Sequence, residues 1–139
     1  MNVTIKRFQG IFALACLALA GCNRSATDLK EMESHRYNDT VVTLLSDKGD
    51  LTHGQNRFVI AFRSAASGKP VDAGRIQMTS NMSMPGMSPM SAGVELEPAG
   101  ETGQYIAKGD FAMSGAWRFD IQWEGPAGRG NVSFSRNVR

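Results

Sequence analysis

A chain of 139 residues has room for one domain, and a formal net charge of +2 gives no cationic excess for a polyanion partner. Two of its cations, Lys6 and Arg7, belong to an N-terminal segment that reads as a removable signal. Without them 13 Lys and Arg balance 13 Asp and Glu, so composition argues against nucleic-acid binding.

Lys6 and Arg7 precede an apolar run, Ile11 to Leu19, that is too short to span a bilayer as a stable helix. The run ends in Leu19-Ala20-Gly21-Cys22, which resembles the bacterial lipobox. That resemblance implies a signal peptide over 1–21, cleavage before Cys22, lipidation of Cys22 and export across the inner membrane. Asn23, standing where an aspartate would retain the protein, points to the outer membrane with the domain facing the periplasm. Cys16 falls in the discarded segment, so the mature chain has neither a free thiol nor a disulfide. Any metal site must be built from Met, His or carboxylate.

Residues 22–39 are polar and mixed in charge, and read as the lipidated cysteine plus a tether with a short helical turn around Leu29 to Glu33. His35 and Met32 are set aside as tether residues. The domain is expected over 40–139. Val41 to Leu45 is β-rich and closes on the turn-prone Ser46-Asp47-Lys48-Gly49-Asp50. Arg57 to Arg63 puts Phe58, Ile60 and Phe62 on one face, and Arg75 to Ser80 makes a third strand. Val94 to Glu97 and Gly103 to Asp110 are the fourth and fifth. Ala116 to Glu124 is the clearest, with Trp117, Phe119, Ile121 and Trp123 alternating with Arg118, Asp120, Gln122 and Glu124. Asn131 to Phe134 begins the seventh. With no apolar period of 3.6, these elements predict an all-β fold, an immunoglobulin-like antiparallel sandwich of about seven strands; a barrel is the competitor.

Between the third and fourth strands, four methionines fall within nine residues: Met82, Met84, Met87 and Met90. Pro85-Gly86 is the signature of a type II turn with Met84 and Met87 at its corners, their α-carbons within about 7 Å. Soft, uncharged thioethers select Cu(I), and Ag(I) as its surrogate. The alternatives for the same residues are packing, contact with a protein or lipid partner, or sacrificial oxidation to sulfoxide. If strands run alternately up and down, the first, third and fifth connections share one pole. Those connections carry His53, the methionine loop and Met113. The expected metal site is therefore Met82, Met84, Met87, Met90, Met113 and His53, with Asp50 or Asp110 available to orient His53. Met78, inside a strand, is expected in the core.

Gly68-Lys69-Pro70-Val71-Asp72-Ala73-Gly74-Arg75-Ile76, Met84-Pro85-Gly86-Met87, Gly103-Gln104-Tyr105 and Met113-Ser114-Gly115-Ala116-Trp117-Arg118 together resemble the YtkA-like domain family. The resemblance spans about 40–125. It implies an extracytoplasmic immunoglobulin-like domain associated with copper or heavy-metal handling, and it implies no catalytic residues. The absence of a membrane-spanning segment of the FixH kind departs from an oxidase-assembly relative. The reading that follows is a lipid-anchored Cu(I)-binding protein, a metallochaperone or tolerance factor working with an envelope, efflux or oxidase-assembly partner. The alternative is a metal-free adaptor docking on an envelope or efflux complex. An enzyme is not expected, because the mature chain offers two histidines, no thiol and no serine in a nucleophile-elbow context.

Overall fold

Strict alternation in residues 115–125 dictates the centre of the molecule: Trp117, Phe119, Ile121 and Trp123 are all buried. A computed structural model describes residues 28–139, which form nine strands. These are β1 (Lys30–Tyr37), β2 (Thr40–Ser46), β3 (Gly54–Ser64), β4 (Arg75–Met82), β5 (Met90–Ala92), β6 (Val94–Pro98), β7 (Gln104–Phe111), β8 (Gly115–Gly125) and β9 (Gly128–Val138). They make two antiparallel sheets, one ordered β1-β2-β3-β7-β6 and the other β5-β4-β8-β9. Phe58, Ile60 and Phe62 of β3 meet the β8 row between the sheets, with Phe62 and Trp123 ring centroids 5.4 Å apart and Phe58 and Phe119 6.3 Å apart. Val132 and Phe134 of β9 and Met78 of β4 complete this core as the sequence pattern predicts. The fold is a β-sandwich.

Both seams of the sandwich are closed. On one side β5 and β6 are separated only by Gly93, so a single run passes from the second sheet into the first. On the other, β1 lies along β9: the His35 ring sits 4.6 Å from that of Phe134, and the Tyr37 ring 5.6 Å from that of Trp123. Arg136 of β9 donates to the Met32 carbonyl at 3.2 Å.

This seam corrects the tether expected over 22–39. Residues 30–37 are a strand paired with β2 from Lys30↔Ser46 to Tyr37↔Thr40, not a linker with a helical turn. The domain therefore begins at Lys30 or earlier rather than at 40. A bulge explains why the strand escapes a period-two reading. The register shifts between Glu31 and Glu33, so Met32 at the bulge and His35 after it pack inward at odd spacing, and the more exposed Tyr37 sets its ring against Trp123. The resulting three-residue interval between Met32 and His35 imitates a helical period. Charges on β1 suit an edge strand, where they oppose pairing with another chain. The seven expected strands become nine by the addition of β1 and the three-residue β5. The proposed lipobox and Cys22 lie outside the described residues.

Away from the methionine pole, Tyr105 ties β7 to the segment before β4. Its hydroxyl lies 3.2 Å from the Gly74 carbonyl and 3.3 Å from Asp72 Oδ1, and the same carboxylate oxygen accepts from the Gly74 N–H at 2.8 Å. Burial, and then the neighbouring Asp72 charge, hold the Tyr105 phenol above its ordinary pKa. A raised folded-state value means a contribution to stability that is present below the unfolded tyrosine pKa, about 10, and lost as pH climbs through the folded one. Tyr105→Phe should cost about 1–2 kcal/mol at neutral pH by urea denaturation. That deficit should narrow on moving to strongly alkaline buffer.

Candidate metal site

The pole built by the starts of β3 and β8 and the ends of β4, β7 and β9 gathers the sulfur-bearing connections. Gly54 pairs with Phe111, so the β2–β3 connection carrying His53 meets the β7–β8 connection carrying Met113. Asn81 pairs with Arg118, which brings the methionine loop to the start of β8. Val138 pairs with Gly115 and bridges Leu51, closing the ring of connections. The two extra strands leave strand parity intact at this pole. β1 precedes every connection counted, and β5 continues into β6 without reversing direction.

Within the loop the methionines form two tiers. Met82 and Met90 are directly opposite each other in the β4–β5 ladder, a placement that sets Cβ atoms about 4.5–5.5 Å apart. Both are partly buried and pack on the core. Above them the Met87 N–H donates to the Met84 carbonyl at 3.2 Å, and Gly86 takes φ +74°. That is the hydrogen bond and left-handed third position of a type II turn, as Pro85-Gly86 predicts. Met84 is half-buried, whereas Met87 is 68% exposed. Met82 reaches sideways: a Cβ built on Gly115 would collide with Met82 Cε and come within 3.7 Å of its sulfur. Gly115 also has φ +137°, so both its backbone and its missing side chain make room for this thioether.

The neighbouring connection is held at two successive carbonyls. His53 Nε2 lies 3.0 Å from the Ala112 oxygen, and the buried Trp117 Nε1 donates to the Met113 oxygen at 2.9 Å. With its backbone fixed, Met113 leaves its side chain 40% exposed. Since a carbonyl only accepts, the Ala112 contact places the His53 proton on Nε2 and leaves the lone pair on Nδ1. The His53 backbone is fixed as well, its N–H donating to the Arg139 carbonyl at 2.6 Å.

Two expectations about this region need correction. Asp50 does not orient His53. Its carboxylate is taken by Arg136 at 3.1 Å and Arg139 at 3.3 Å, because arginine offers it charge-assisted partners. Asp110 makes no hydrogen bond to His53 either; the orienting acceptor is the Ala112 backbone. Sequence reasoning missed the two pins, Ala112 and Trp117. The only cue for the second was the four-residue spacing from Met113 to a tryptophan in the inward row. Among the described residues no group of three or more His, Cys, Asp or Glu could hold a metal ion. The donor set on offer is thus thioether with one imidazole, which suits a soft monovalent cation and not a hard divalent one.

The architecture and this pole define a small immunoglobulin-like sandwich that displays methionines from two adjoining connections. The chain belongs to the YtkA-like family, whose model matches residues 34–122. Among solved structures, a DUF4426 family protein from Pseudomonas aeruginosa is similar at 13% identity, covering 76% of this chain and 96% of its own, with a TM-score of 0.51. The Lin-41 filamin domain is similar at 14% identity over 77% of this chain and 98% of its own, also at 0.51. A copper-bound variant of FetP from uropathogenic Escherichia coli is similar at 7% identity over 79% of this chain and 97% of its own, again at 0.51. At such identities the likeness is one of fold. A search of curated proteins finds no match.

Proposed function

We propose that this protein is a lipid-anchored carrier of Cu(I) in the bacterial cell envelope, holding the ion through thioethers at the methionine pole. The observation that carries the reading is the joining of two sulfur-bearing connections at one pole, with Met82 laid over Gly115 beside the pinned Met113 segment. Met82 and Met90 would form the floor of the site, Met84 and Met87 its rim, and Met113 and His53 Nδ1 its flank. Cys22, through the lipobox, would attach the domain to the membrane, with the outer membrane indicated by Asn23. The fold is compatible with such a role: a copper-bound variant of FetP has a similar architecture.

The chemistry suits delivery more than storage. Neutral thioethers take up metal without releasing protons, so affinity should vary little with pH unless His53 takes part. The exposed Met87 lets an acceptor's soft ligand approach before the inner sulfurs let go, which favours stepwise ligand exchange. No step requires catalysis by the protein. Thermal melting in the presence of Ag(I) tests the reading. Silver at about 100 times its dissociation constant should add about 2.7 kcal/mol and raise the midpoint. A midpoint indifferent to Ag(I) and Cu(I) would reject the carrier and favour the adaptor, for which the exposed Met87 and Met113 would be protein contacts.

A further inference from the structure

The position of β1 fixes where the chain enters the domain. Lys30 pairs with Ser46, the last residue before the connection that carries His53. Its side chain lies against Gly49 of that connection, within 3.4 Å of where a Cβ would stand. Asp28 and Leu29, just ahead of it, line a cavity of about 590 Å³ together with Asp47, Lys48 and Asp50. Entry point and methionine pole are therefore the same end of the sandwich. Seven residues lie between Cys22 and Lys30, making eight Cα-to-Cα steps. Even fully extended they reach at most about 29 Å. The far pole, with the β3–β4 loop around Ala66, stands a further strand length away, about 36 Å for the eleven residues of β8.

We infer that the methionine pole faces the membrane surface, and that its exchange partner is a protein embedded in that same membrane. This rests on the lipid-anchored carrier reading. A short tether attached at the metal pole lets the domain tilt but keeps Met87 and Met113 near the headgroups, while soluble acceptors would have to enter the gap. The lipid itself is a poor occupant. The exposed large apolar side chains at this pole are Met87 and Met113, and the β2–β3 connection and chain end that share it carry the exposed Asp47, Lys48 and Arg139, which resist burial in hydrocarbon. A partner with a soft-ligand site opening toward the periplasm at headgroup level fits the geometry.

The test uses the full lipidated chain in phospholipid vesicles, with membrane attachment and the mass of lipidated Cys22 checked first. Because the mature chain has no other thiol, single variants Met87→Cys and Ala66→Cys can each carry one fluorophore. Spin-labelled lipids then quench from headgroup depth or from acyl depth. The expected result is strong headgroup quenching at 87, at least about fivefold weaker quenching at 66, and little acyl-depth quenching at either, since the separation between poles exceeds the range of contact quenching. Equal quenching at both positions, or more at 66, overturns the orientation. Strong acyl-depth quenching at 87 overturns the protein partner by showing that the lipid is the occupant. A chain that carries no lipid at Cys22 and does not float with vesicles overturns the anchored carrier itself, a failure distinct from wrong orientation.

Discussion

Replacing Met84 and Met87 together with isoleucine should abolish retention of Cu(I) and Ag(I) on a desalting column while leaving the fold in place. The two residues occupy the corners of the turn, and neither belongs to the buried core. Exchange of such peripheral side chains normally moves stability by no more than about 0.5 kcal/mol. Isoleucine keeps the apolar bulk and removes only the sulfur, so a packing or docking role would tolerate it where a ligand role would not. Losing the two rim donors leaves the partly buried Met82 and Met90 with Met113 and His53 at the flank, a set stripped of the turn sulfurs that would close over the ion and hold it on the column. Met78→Leu is the matched control, because Met78 is buried in β4 and takes no part in the pole. Full retention in the double variant would place any metal elsewhere; loss of retention accompanied by a collapsed melting transition would assign the methionines to packing.

The turn was legible because its chemistry is local: Pro85 presets one dihedral and Gly86 tolerates the positive φ that follows. The core was legible for the same kind of reason. β8 is buried on one face, so Trp117, Phe119, Ile121 and Trp123 alternate without interruption, while β3 is buried continuously from Phe58 to Phe62 and was legible as an apolar run whose Phe58, Ile60 and Phe62 share one face. Strand parity then carried His53, the methionine loop and Met113 to one pole without knowledge of any contact. What stayed hidden was non-local or irregular. The β1 bulge displaces Met32 from the period of His35 and Tyr37, and the three-residue β5 is too short to show a period. The partner of His53 is a backbone carbonyl 59 residues away, which no side-chain pattern encodes. Asp50, three residues before His53 in sequence, is drawn instead to arginines at the other end of the chain.

The tryptophan that anchors the Met113 segment gives the largest expected effect on stability. Trp117 is 1% exposed, its ring centroid lies 5.2 Å from that of Phe111, and its indole N–H satisfies the Met113 carbonyl. Trp117→Ala removes the largest fully buried side chain and should cost about 3–5 kcal/mol by urea denaturation. Against the 5–15 kcal/mol typical of small domains, that is a substantial part of the whole. The informative variant is Trp117→Phe, which keeps most of the buried aromatic area but leaves the Met113 carbonyl without its donor. It should cost about 1–2 kcal/mol, for the lost hydrogen bond and the part of the indole volume that phenylalanine does not fill. Its effect on metal separates scaffold from site. If Met113 is a ligand held ready by this bond, Trp117→Phe should weaken Ag(I) binding at a temperature where the variant is fully folded, and Met113→Leu should weaken it to a similar degree without loss of stability. If Trp117→Phe lowers the melting midpoint and leaves silver affinity unchanged, Trp117 supports only the sandwich and Met113 must be struck from the ligand set.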